Sequence, residues 1–339
     1  MKMKIVNRLL FGAALFPMIL ILSSQPLPAA GKVIVYSSNQ QQQNDIMADA
    51  FEKATGIKCE MVRASTGVLL KKARAEKNRP LGDVAIGLGK SVLVNNLDLW
   101  EAYKVKDFDA YPAEYKDPNG MWIGKIVHLM VFMYQPKLIL GGQAPKAWSD
   151  FLEPSWQDKV SFCSPSNAAS SYTQLTAMLS LWGDNEAGWK KVEKFLKHAL
   201  ITEQSANVYT AVANGEVPAG ITMEYAAYRY KKGGSPIEVV NPAEGTVAYA
   251  EGAGIIKGAP NRENARKFMD WVTSRECRKM DLAEFLRRPA REDLDFAGLA
   301  PGMVPLSKIK LLKGYDEEYW IKKQPEVLQK VKDILLRVK

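Results

Sequence analysis

Val33-Ile34-Val35-Tyr36-Ser37-Ser38 reads as a buried strand that runs straight into a polar turn. Asn44 to Thr55 follows as a helix, with Ile46, Met47, Ala50, Phe51 and Ala54 on one face at helical spacing and Gly56 as its stop. Ile57, Cys59 and Met61 alternate as a second strand. The loop Arg63 to Gly67 then leads into a helix over Val68 to Asn78, and Asp83 to Gly87 forms a third short strand. A β-α-β-α-β run of this kind predicts a mostly parallel sheet flanked by helices, an α/β fold. Each polar turn falls after a strand, which is where open α/β sheets bind ligands.

The rest of the 339-residue chain extends this pattern. Val127 to Tyr134 is an apolar run that reads as a strand leaving a first lobe, and Thr246 to Ile256 as the return crossing. Between them, Val160-Ser161-Phe162, Val217 to Thr222 and Ile237 to Val240 read as strands. Helices are expected up to Trp182, over Asn185 to Leu196, Val208 to Asn214 and Tyr225 to Lys232. The final helix carries Val327, Leu328, Val331, Ile334, Leu335 and Val338 as a core-facing stripe. Such a length favours two lobes over one core. The expected division is 31–130 plus 255–339 for the first lobe, with the C-terminal helices packing on the lobes, and 131–254 for the second, with two hinge crossings and no flexible linker.

Ahead of the first strand, Lys2, Lys4 and Arg8 precede an uncharged stretch of about 14 residues, Leu9 to Leu22, and then Pro26, Pro28, Ala29 and Ala30. This is the pattern of a cleaved export signal over 1–30, too short for the ~20 residues that span a bilayer. The whole chain carries a formal charge of +9, and loss of the three leader cations lowers it to about +6. That excess is spread along the chain without the dense basic stripe of a nucleic-acid binder. Cys59, Cys163 and Cys277 match no metal spacing, and their odd number leaves at least one thiol unpaired within the chain. His128 and His198 are the two histidines and read as structural. Two isolated histidines do not build a zinc hydrolase site.

Three turns offer hydroxyls or amides together with the free N–H groups of a following helix: Ser37-Ser38-Asn39-Gln40, Ser65-Thr66-Gly67 and Ser166-Asn167-Ala168-Ala169-Ser170-Ser171. Helix N-termini attract anions through unpaired N–H groups and the helix dipole. The competing reading is plain N-capping, in which Ser, Thr and Asn are preferred for local reasons. No G-x-S-x-G elbow and no H-E-x-x-H occurs, so no enzyme is expected.

The segments "VIVYSSN", "FEKATGIK", "STGVLLKKARAEKNRPLGDV", "WSDFLEPSWQDKV" and "GEVPAGITMEYAAYRYKKGGSPIEVVNPAEGT" carry a family likeness. Together they resemble the periplasmic solute-binding proteins of ABC importers, in the branch that holds ferric-iron, phosphorylated-sugar and phosphonate binders. The resemblance implies a type II-like two-lobed fold, a monomer in the periplasm, and a small ligand delivered to a membrane permease. Ferric members use two adjacent tyrosines with a histidine and a glutamate. Here Tyr225 is kept, Ala226 stands at the second tyrosine, and the histidine and glutamate positions fall near Gln40 and Leu88. The resemblance therefore points to a small organic anion, a phosphorylated sugar or phosphonate. Ser37, Ser38, Thr66, Gly67, Ser166, Asn167, Ala168 and Ser170 would hold it, Ser205 would add a donor, and Glu224 and Tyr225 would read its remainder. No metal and no cofactor is expected. Ferric-iron binding through an altered ligand set and a secreted α/β hydrolase are the alternatives.

Overall fold

The computed structural model describes residues 31–139, 144–296 and 298–338, so the expected export signal over 1–30 lies outside the described residues. The chain opens with β1 (Lys32–Ser37), α1 (Gln41–Thr55), β2 (Lys58–Arg63), α2 (Thr66–Ala75), β3 (Val84–Gly89), α3 (Lys90–Val94) and β4 (Trp100–Glu101). A long strand β5 (Ile123–Tyr134) leads to β6 (Val160–Cys163), α4 (Ala169–Trp182), α5 (Glu186–His198), β7 (Ala199–Thr202), α6 (Ser205–Ala213), β8 (Ala219–Met223), α7 (Glu224–Lys232) and β9 (Glu238–Val240). The chain returns through β10 (Ala248–Ile256) and ends with α8 (Arg262–Thr273), α9 (Arg275–Phe285) and α10 (Glu317–Val338).

The strands run in the order β2-β1-β3-β10-β5-β8-β6-β7, with β4 beside β10 and β9 beside β5. β1, β2 and β3 are parallel, as are β6, β7 and β8. All six therefore release their following turns at their carboxyl ends, which brings the polar turns of each lobe together. β5 serves both lobes. Its first part pairs with β10, up to Leu129, and its second part, from Met130, pairs with β8. Nearly every residue of β5 is buried, because sheet and helices cover both of its faces.

Two cores follow from this division. Val33, Val35, Met47, Phe51, Val84, Ile86 and Phe268 belong to the first lobe, and Phe132, Trp148, Phe151, Phe162, Leu175 and Phe195 to the second. Val247 packs in the second-lobe core and Ala250, Ala253 and Ile255 of β10 in the first-lobe core, so the return segment changes core between Val247 and Ala250. The C-terminal helix α10 buries Trp320, Val327, Val331 and Ile334 in the second-lobe core beside Trp189 and Val192. Its apolar stripe faces a core as expected, and that core is the second lobe's. Each such buried aliphatic side chain contributes about 1.5–3 kcal/mol.

Local chemistry explains the punctuation. Gly56 sits at φ 71° and its N–H donates to the Glu52 carbonyl, closing α1. Asp83 accepts from the Ile34 and Asn261 N–H groups at 2.7 Å each, so this buried acid ties β1 to the start of α8. The three cysteines are free and buried. Among the described residues no helix is long and apolar enough to cross a membrane.

Candidate functional site

Between the lobes lies a cavity of about 460 Å³. The first lobe lends it Thr66, Gly87, Gly89 and Ser91, the second lobe Ala169 and Tyr172, the two crossing strands His128, Tyr249 and Glu251, and α10 Glu317 and Trp320. Thr66 is the first residue of α2 and Ala169 the first residue of α4, so two helices from opposite lobes start at the same cavity. Neither has a side-chain cap: Ser65 is extended without a capping hydrogen bond, and Ala168 has no capping group to offer. By contrast Asn185 caps α5 and Ser274 caps α9 with their side-chain oxygens. The first N–H groups of both helices are therefore left without a side-chain acceptor at the cavity, as they also are in α1, α6, α7 and α8 elsewhere.

The expected site residues divide into three groups. Thr66 lines the cavity, Ala168 is the N-cap of α4 beside it, and Ser170 is buried in that helix's first turn. Ser37 and Ser38 support it from behind: the Ser37 hydroxyl donates to Asn44 Oδ1 at 2.7 Å, and the Ser38 hydroxyl donates to the Gly87 carbonyl. Gly67, Ser166 and Asn167 are exposed, and the Asn167 amide donates to Glu203. Ser205 starts α6 after β7, two strands from β8 along the sheet.

Glu224 departs from expectation. It is 3% exposed and both of its oxygens are taken by Arg288, at 2.8 and 2.6 Å, so it has no free oxygen to read a ligand. Tyr225 stays near the cavity floor. Its ring lies 5.9 Å from that of His128 and 3.8 Å from the Arg287 guanidinium. Tyr228 and Tyr230 are structural: the first donates to the Gly302 carbonyl at 2.6 Å, and the second shares a 3.0 Å hydrogen bond with Thr210.

The floor of the cavity holds a polar group that sequence reading missed. His128 Nε2 lies 3.1 Å from Glu251 Oε2, and Lys125 Nζ lies 3.6 Å from Glu251 Oε1. Burial opposes ionisation of Glu251, but the His128 hydrogen bond and the Lys125 and Arg287 charges outweigh it and hold the carboxyl well below its usual range. Burial lowers both His128 and Lys125 against the pull of Glu251. A neutral His128 beside an ionised carboxylate must donate through Nε2. Across the cavity mouth, burial raises the Glu317 carboxyl while Lys90 and Ser91 of the other lobe pull it down. The available signal was that Lys125, His128 and Glu251 interrupt otherwise apolar crossing strands.

Among the described residues no three His, Cys, Asp or Glu side chains converge to hold a metal ion. Tyr225, Tyr249, His128 and Glu251 do gather at the floor, but Lys125 and Arg287 stand beside the carboxylate and would repel a trivalent cation.

The family model for bacterial extracellular solute-binding proteins matches residues 93–313. The chain is similar to the Fe(3+)-binding periplasmic protein of Serratia marcescens, 24% identical over 271 residues that cover 76% of this chain and 78% of the relative. It is also similar to the putative 2-aminoethylphosphonate-binding periplasmic protein of Salmonella typhimurium, 24% identical over 295 residues, 80% of this chain and 83% of the relative. In structure it resembles the periplasmic binding protein AfuA of Actinobacillus pleuropneumoniae, solved with exogenous fructose-6-phosphate bound, at a TM-score of 0.75 and 24% identity, with 90% and 99% of the two chains covered. Iron-bound HitA of Pseudomonas aeruginosa superposes equally well, at 0.75 and 22% identity over 89% and 99%. At these identities the structural likeness shows the fold.

Proposed function

The chain belongs to the bacterial extracellular solute-binding proteins, and we propose that it captures a small organic anion, a phosphorylated sugar or phosphonate, between its lobes and hands it to an ABC permease in the periplasm. The observation that carries this reading is the pair of uncapped helix starts, Thr66 of α2 and Ala169 of α4, at one cavity. Unpaired N–H groups and the positive ends of two helix dipoles favour an oxyanion between them. Glu317 suits hydroxyl or amine groups at the ligand's other end, where its carboxylate can accept hydrogen bonds. The relatives' names include a phosphonate binder, and the fold neighbours include a sugar-phosphate complex.

Capture needs no turnover. A ligand that touches both lobes binds the closed form better and so shifts the population toward it. The crossing strands β5 and β10 are the natural hinge, since each lobe's sheet begins on them. A thermal-shift panel of fructose 6-phosphate, 2-aminoethylphosphonate, inorganic phosphate and ferric citrate tests the reading. A ligand of the folded state raises the melting temperature by mass action. A rise with an organophosphate and none with ferric citrate supports it; a rise with ferric citrate alone, with a tyrosine-to-iron absorbance band, overturns it.

A further inference from the structure

Arg287 differs from the other buried arginines. Arg278 pairs with Asp281 at 2.7 Å, Arg288 with Glu224 at 2.6 Å, and Arg291 with Asp107 and Asp293 at 2.9 and 2.6 Å. Arg287 is 9% exposed, yet among the described residues it forms no ion pair and donates no side-chain hydrogen bond. Its guanidinium rests on the Tyr225 ring at 3.8 Å. A π face attracts a cation but accepts none of its five N–H groups in the plane where they point. A largely buried cation held this way keeps N–H groups open to a further acceptor, and such charges are ordinarily paired.

Its position gives the missing partner a chemistry. The crevice that holds Arg287 is shared with His128 and Tyr225, and His128 also lines the interlobe cavity. Glu251 feels the Arg287 charge without pairing with it, because its oxygens face His128 and Lys125. The residue before it, Leu286, is buried in the left-handed region at φ 55°, a conformation that costs a leucine energy and that sets the direction in which Arg287 leaves α9. The cavity's own described lining contains two carboxylates and no Lys or Arg. An anion captured there would lack a full counter-charge from the lining itself.

Resting on the capture reading above, we infer that Arg287 is the ligand's charge partner. An oxyanion that reaches the floor between His128 and Tyr225 takes the guanidinium N–H groups, and the Tyr225 ring holds the cation until then. The fork of Arg287 suits a phosphoryl, phosphonyl or carboxylate group, which it can meet with two parallel hydrogen bonds.

The test compares wild type, Arg287→Gln and Arg287→Lys by thermal shift and calorimetric titration with fructose 6-phosphate, 2-aminoethylphosphonate and inorganic phosphate. Without any probe, Arg287→Gln should melt at the same temperature as wild type or higher, because it removes a largely buried cation that no acidic side chain pairs. With the organophosphate that shifts wild type, it should bind about 10–100-fold more weakly, the range for a lost charged hydrogen-bond pair. Arg287→Lys keeps the charge but loses the fork and should weaken binding by a smaller factor. Unchanged affinity in Arg287→Gln overturns the inference while capture itself stands. A lower melting temperature with unchanged affinity makes Arg287 a structural residue and overturns it too. If Arg287→Gln does not fold, full affinity in Arg287→Lys likewise overturns the inference. No shift of wild type by any of the three probes would defeat both this inference and the reading it rests on.

Discussion

Lys125 Nζ of β5 and Glu251 Oε1 of β10 stand 3.6 Å apart inside the two strands that join the lobes, too far apart for a hydrogen bond and with no other hydrogen-bond partner for either atom. The pair links the crossings to each other at the level of the cavity floor. Since His128 holds the second Glu251 oxygen, three side chains from two distant segments meet at the hinge.

Glu251→Gln should therefore destabilise the protein by about 3–5 kcal/mol at neutral pH, because it strands a buried Lys125. The loss should shrink as pH rises toward about 10, since a lysine whose folded pKa is depressed gains relative stability as the unfolded chain also loses its proton. In wild type the sign for Glu251 itself is the usual carboxylate one. Its contribution is full above the ordinary value of 4.5 and is lost as pH falls toward its depressed folded value. Denaturant midpoints across pH for both proteins check this; parallel pH profiles would contradict it.

Glu224→Ala should cost about 3–5 kcal/mol, because it leaves Arg288, 2% exposed, without its bidentate partner. Joint replacement by Glu224→Met and Arg288→Leu should recover most of that loss. If Glu224→Ala instead left stability intact and changed ligand choice, Glu224 would be a ligand contact after all.

Gly87→Ala should destabilise by about 1–3 kcal/mol. Gly87 has φ +78°, and an added Cβ would meet Ser38 Oγ and Asn39 Oδ1 at 2.7 Å each, at the wall of the cavity. Gly67→Ala is the matched control: it lies within α2 with open space around the new methyl, and should stabilise by about 0.5–1 kcal/mol. Urea denaturation of the two variants separates the cases.

Burial pushes the Tyr115 and Tyr228 phenols up to about 12 from an ordinary 10.0. A raised folded pKa means their contribution is full below 10.0 and is lost as pH climbs toward 12. Stability should fall through that window, and the part of the tyrosinate absorbance that Tyr115→Phe and Tyr228→Phe remove should appear together with unfolding. If that part formed in the native protein near pH 10, with no loss of structure, these two rings would be accessible.

The parallel units at both ends of the sheet were legible because strand, polar turn and helix alternate locally within about 30 residues. The polar turns ahead of α2 and α4 came from the same local signal, although the helices begin at Thr66 and Ala169, inside the stretches read as turns. What escaped was non-local. Lys125 and His128 sit in a run that reads as apolar core, and nothing near them in the chain says that Glu251 will face them across β10. Arg288 is 64 positions from Glu224, so the sequence could not show that the carboxylate was already engaged. The stripe on α10 was readable, but an amphipathic face names no partner, and the sequence did not single out α5 as the helix it packs on.

The most direct measurement is a calorimetric titration of wild type and Ala169→Asp with fructose 6-phosphate and 2-aminoethylphosphonate. A carboxylate in the first turn of α4 favours the helix by about 0.3–1 kcal/mol and repels an oxyanion at the same place. Wild type should bind an organophosphate at one site, and Ala169→Asp should lose that binding with an unchanged or higher melting temperature. Equal binding by both proteins would contradict the anion cradle at the start of α4.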